Sequence, residues 1–152
     1  KYASEDAREL AIELKKHTAT ALMPLPFFQV GSEKIELTLD PTYDYVVTME
    51  MVCAVRNIPM MSSMMSRTPI HFSQSMFNFY KTGYDSLLLS QLKGQRILVT
   101  RSFKEYELRK NWLPIESHEA DVAFSNAMSL PEQLHMQLVS KINDYEIFIW
   151  QP

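Results

Sequence analysis

A short apolar run that passes directly into a helix start constrains this chain more than any other feature. Arg96-Ile-Leu-Val-Thr100 reads as a buried strand, and Ser102-Phe-Lys-Glu105 right behind it has the S-x-x-E spacing of a capping box. The helix so opened runs to about Leu113 and ends at Pro114, which cannot continue it. Ser129-Leu-Pro-Glu132 repeats the spacing, with proline tolerated in the first turn. Leu130, Leu134, Leu138, Val139 and Ile142 then make one face of an expected helix to about Asn143. Asp121 to Phe124 is expected as a short strand and Tyr145 to Trp150 as a final one. Strands alternating with helices predict an α/β fold, with a mixed, mostly parallel sheet and helices packed on its faces.

The first half adds further elements. Ala7, Leu10, Ala11 and Leu14 form the stripe of an amphipathic helix behind Ser4, Glu5 and Asp6, with Pro24 and Pro26 beyond its end. Phe27 to Leu39 reads as a hairpin turning at Gly31-Ser32. Tyr43 to Val55, apolar at nearly every position and rich in β-branched residues, reads as a central strand covered on both faces. Ser73 to Tyr80 is expected as a helix stopped by Gly83, or Ile70 to Phe79 as extended chain. Asp85 is expected to cap a helix to Lys93, with Gly94 at its C′ position. No repeat, low-complexity tract or linker divides the 152 residues, so one globular domain, 1–152, is expected.

Several function classes are disfavoured. The net charge is −3 and the Lys and Arg residues are scattered, whereas a nucleic-acid surface shows a basic stripe. No apolar run approaches the roughly 18 residues of a membrane span. The chain has three glycines, and no GxSxG, phosphate-cradling loop or dinucleotide fingerprint, so catalysis has little support and no cofactor is implied. A single cysteine excludes an intrachain disulfide and fixes no compartment. Lys1 in place of an initiator methionine is the start expected of a processed chain or of a segment of a longer one.

Two chemistries remain. Seven of the ten methionines fall between Met49 and Met76, around Cys53, and thioethers and a thiol are soft ligands suited to Cu(I). On a strand Met49, Met51 and Cys53 share a face but span about 13 Å, too far to converge on one ion. A copper site would need a further ligand from Met60 to Met65 or His71, and packing is the simpler reading of these methionines. The four histidines lack metal-ligand spacing, and the acidic group Glu116, His118, Glu119, Asp121 could hold a hard cation but reads more simply as a solvated loop, so no metal site is assigned.

The turn Thr100-Arg101-Ser102 is the stronger candidate. It joins a strand to a helix N-terminus, where free N–H groups favour an anion, and Arg101 adds a planar fork for carboxylate or phosphate. Ligands of open α/β sheets gather at such carboxyl ends of strands. Arg67 and Thr68, in a second small cationic segment, would complete the site from a facing loop. The expected function is a non-catalytic binding domain for a small anionic or zwitterionic solute at this turn, or for a protein partner. A Met-based Cu(I)-binding protein and an enzyme without a recognisable motif are the alternatives.

Gln91-Leu-Lys-Gly-Gln-Arg-Ile-Leu-Val-Thr-Arg-Ser102, the elements that follow, and Asn143-Asp-Tyr-Glu-Ile-Phe-Ile149 together resemble the second lobe of type II periplasmic solute-binding proteins. Tyr43-Asp-Tyr-Val-Val47 is similar to a strand of that family's first lobe. The resemblance implies a periplasmic or extracellular location, against a cytoplasmic one without it, and a solute facing Thr100, Arg101 and Ser102. The chain departs from the family in its shorter length, in lacking the family's first strand, and in carrying Arg101 where a glycine is usual.

Overall fold

The computed structural model describes residues 5–28, 43–61, 70–112 and 118–152. Helix α1 (Glu5–Leu14) is followed by β1 (Ala21–Leu25), α2 (Tyr43–Arg56), α3 (Ile70–Thr82) and α4 (Ser86–Leu92). Strand β2 (Ile97–Arg101), α5 (Phe103–Trp112), α6 (His118–Ala127), α7 (Leu130–Gln133) and the hairpin β3 (Gln137–Ile142)–β4 (Tyr145–Trp150) complete the order. The strands form one sheet, β1-β2-β4-β3, with β1 and β2 parallel and the other two pairings antiparallel. The fold is α/β with a mixed sheet, as expected, although only one pairing is parallel.

Period-two alternation along β2 separates two cores. Ile97 and Val99, with Phe148 and Trp150 of β4, face Phe79 and Tyr80 of α3, Leu88 of α4, Phe124 of α6 and Leu130 of α7. Leu98, with Ile147 and Ile149, faces Leu10 and Leu14 of α1 and Tyr45, Met49 and Val52 of α2. The sheet is therefore the middle of three layers. Among the described residues no helix is long and apolar enough to cross a membrane.

Three expected elements are corrected. Tyr43 to Val55 is helical, not a strand. At 14 residues the element exceeds an ordinary strand, and its buried residues Tyr45, Met49, Val52 and Cys53 follow helical spacing while Asp44, Glu50 and Val55 face water. Asp121 to Phe124 belongs to α6, where Ala120, Ala123, Phe124 and Ala127 are buried at i, i+3, i+4 and i+7. The helix expected from Leu130 to Asn143 stops after four residues. His135 takes φ of 50°, outside helical geometry, and the chain re-enters as β3, which turns into β4 through Asn143, also at φ 50°.

Strand β1 contains a proline that looks unsuited to a sheet. Leu22 turns its N–H and C=O away from β2, to Pro59 O (3.0 Å) and Met61 N (2.8 Å). By alternation Pro24 faces the same outer side, where a missing N–H breaks no ladder bond. The expected helices at Ala7 to Leu14, Ser73 to Tyr80 and behind Asp85 are present, and Asp85 accepts from Leu88 N at 2.9 Å. The hairpin expected over Phe27 to Leu39 lies outside the described residues except for Phe27 and Phe28, which are buried.

Candidate functional site

Every residue of β2 is buried, so whatever its last residues carry must be satisfied inside the protein. Thr100 and Arg101 point to opposite faces. The Thr100 hydroxyl, fully buried, donates to Met49 Sδ at 3.6 Å. Ser102, also fully buried, accepts from Glu105 N at 3.2 Å, the cap expected for α5, and its own N–H donates to Leu25 O at 2.9 Å.

Arg101 is 5% exposed and sits at the centre of a compact cluster. Its Nε donates to Glu146 Oε1 of β4 (3.0 Å), and its Nη1 donates to Glu132 Oε2 of α7 (2.7 Å) and to Met128 O (2.8 Å). The guanidinium carbon lies 4.8 Å from the Phe103 ring centroid and 4.9 Å from that of Phe148, within cation–π range of both. Lys141 Nζ approaches Glu146 Oε2 at 3.7 Å. Burial alone would lower the Arg101 pKa, but the hydrogen bonds to Glu132 and Glu146 outweigh it and raise the value above the usual one. The hydrogen bond from Arg101 holds the Glu132 carboxyl below its ordinary pKa, against partial burial.

The expected residues thus keep three separate sets of partners. Thr100 faces the α2 side, Ser102 caps α5, and Arg101 alone carries charge chemistry. Arg67 and Thr68 lie outside the described residues. The partners that matter most, Glu132 and Glu146, were not singled out from the sequence. The Ser129-Leu-Pro-Glu132 spacing predicts a capping box, but Ser129 makes no side-chain cap and its hydroxyl donates to Asn126 O instead. A signal was present: Ile97, Val99 and Arg101 share a face, so the arginine had to be buried and needed carboxylates. Glu146 is the one charge in the apolar run Tyr145 to Trp150.

The methionine region offers less. On a helix, Met49 and Cys53 share a face while Met51 lies about 200° round from Met49. Burial, and secondarily Glu50, pushes the Cys53 thiol up to about 11, so it stays protonated. Cys53, Ala54, Asn57, Ile58 and Pro59 line an open surface depression of about 390 Å³. Met60 packs on the α1/α2 core and Met61 on the opposite one; Met64 and Met65 lie outside the described residues. Among the described residues no group of three His, Cys, Asp or Glu could hold a metal ion. His118, Glu119 and Asp121 open α6 rather than lying in a loop, Glu119 pairs with Lys81 at 3.3 Å, and Glu116 lies outside the described residues. In comparisons with known proteins, no family model, no curated protein and no solved structure matches the chain.

Proposed function

We propose that this chain is a non-catalytic binding domain that takes a small carboxylate-bearing solute at Arg101. One observation carries the reading. A buried arginine at the carboxyl end of a strand, walled by two aromatic rings, holds a carboxylate whose side chain is 62% exposed on a four-residue helix. The position therefore offers a carboxylate one charge-assisted hydrogen bond from Nη1, and its occupant is reachable from solvent. Open α/β sheets place ligands at this end of the strand.

A protein partner has weaker support. Phe103 and Leu108 of α5 are 51% and 45% exposed. Five positions apart, they lie about 140° from each other round the helix. Lys104, Glu107 and Asn111 are exposed between them, so the two do not form one apolar surface on α5.

A panel of small carboxylates and inorganic phosphate at millimolar concentration, read by thermal shift and isothermal calorimetry, tests the proposal. At least one carboxylate is expected to stabilise the wild type, and Arg101→Lys, which keeps the charge but loses the guanidinium that Glu146 and Met128 O fix in place, is expected to remove that effect. Equal stabilisation of both proteins, or a panel without a single binder, would sink the reading.

A further inference from the structure

Among the described residues, four charged groups form the Arg101 cluster: two cations, Arg101 and Lys141, against two carboxylates, Glu132 and Glu146. They differ in how firmly they are held. Glu146 belongs to a strand paired on both sides, is 22% exposed, and lies directly opposite Arg101 in the β2–β4 register. Glu132 projects from α7, is 62% exposed, and reaches Arg101 through Nη1 alone. That Nη1 keeps a second bond to Met128 O, a backbone acceptor just ahead of α7. A rotation of the Glu132 side chain would release its carboxylate to water while Met128 O and Glu146 still hold the guanidinium. With Glu132 gone, the cluster has one positive charge unmatched.

We infer that Glu132 is an internal ligand, occupying the place of an external carboxylate on Arg101 and holding the site closed until a solute displaces it. This deepens the solute reading above and rests on it. A competing solute must displace a tethered carboxylate, so Glu132 lowers the affinity that Arg101 alone would give. The solute class follows from the geometry: one carboxylate, small enough to lie beside the Phe103 ring, with the rest of the molecule directed to solvent on the Glu132 side.

The test compares wild type, Glu132→Gln and Glu132→Ala, titrated with sodium propionate, with sodium chloride at matched ionic strength as control. Glu132→Ala is expected to bind propionate about threefold more tightly than wild type, with Glu132→Gln between them because its amide oxygen still accepts from Arg101. Circular dichroism establishes that each variant is folded, and Glu132→Gln, nearly isosteric, serves if the alanine variant is not. Equal propionate affinity in all three overturns the gating role and leaves the solute reading intact. Tighter binding in wild type makes Glu132 a solute contact and likewise overturns gating. No propionate effect in any protein ends both inferences. An equal response to chloride shows a general cationic spot and rejects the carboxylate site.

Discussion

Thr100 and Arg101 are adjacent on β2, yet they open onto two environments built on different principles. On the Thr100 side the sheet meets α1 and α2 through Leu22, Leu98, Ile147 and Ile149 against Leu10, Leu14, Tyr45 and Met49. The hydroxyl there donates to a thioether, a weak acceptor. On the Arg101 side the apolar core of Val99, Phe124 and Phe148 gives way at the strand end to a charge cluster. The α1/α2 core is held chiefly by packing, which depends on volume and is little affected by charge screening. The strand end on the other face is held by charges that must match one another, and that match responds to pH, salt and competing ions.

The largest effect should come from the packed side. Met49 is fully buried between α2 and the sheet, and Met49→Ala removes its contacts and leaves a cavity, at a cost of about 3 kcal/mol. In chemical denaturation this loss should be the same at low and high salt. A salt-dependent loss would mean that the two faces are coupled and the contrast drawn here is wrong.

Arg101→Met should cost less, about 2 kcal/mol, because Glu132 can return to water and Glu146 keeps Lys141, while Met128 O and one oxygen of the more sheltered Glu146 lose their donor. The cost should shrink as salt rises. Adding Glu132→Gln and Glu146→Gln to Arg101→Met should recover part of it, since removing all the charges together leaves none stranded. A single variant as stable as wild type would show that the cluster does not hold the strand end at all.

The contrast also explains what the sequence disclosed. Elements whose signal is local were readable: the α1 stripe, the Asp85 cap, the apolar run of β2 and the Ser102 cap behind it. Tyr43 to Val55 misled because a helix buried along a broad face shows apolar residues almost as densely as a central strand, and only its length told them apart. The β3–β4 hairpin was hidden because Leu130, Leu134 and Leu138 fall at helical spacing although the chain leaves helical geometry at His135. The Arg101 cluster was half legible. Its strand and its helix cap follow from neighbours in sequence, but its carboxylates come from 31 and 45 positions away, and only the sheet register brings Glu146 opposite.

The smallest effect isolates Glu132 within its cluster. Arg101 holds the Glu132 carboxyl below its ordinary pKa in the folded protein, so folding favours the ionised form. The stabilisation is fully present above the unfolded carboxylate value of about 4.3 and is lost as pH falls through the lower, folded value. With the side chain 62% exposed, solvent screening limits the pair to about 0.5 kcal/mol, or about 1–2 °C in Tm for a domain of this size. Wild type should therefore exceed Glu132→Gln by that margin at pH 7, and the two should converge as pH drops below about 4. Met49→Ala should keep its full deficit through the same range, because no proton is linked to it. If the Glu132→Gln gap persists at acid pH, the glutamate contributes by packing rather than by charge, and the carboxylate on Arg101 loses the electrostatic role that makes it displaceable.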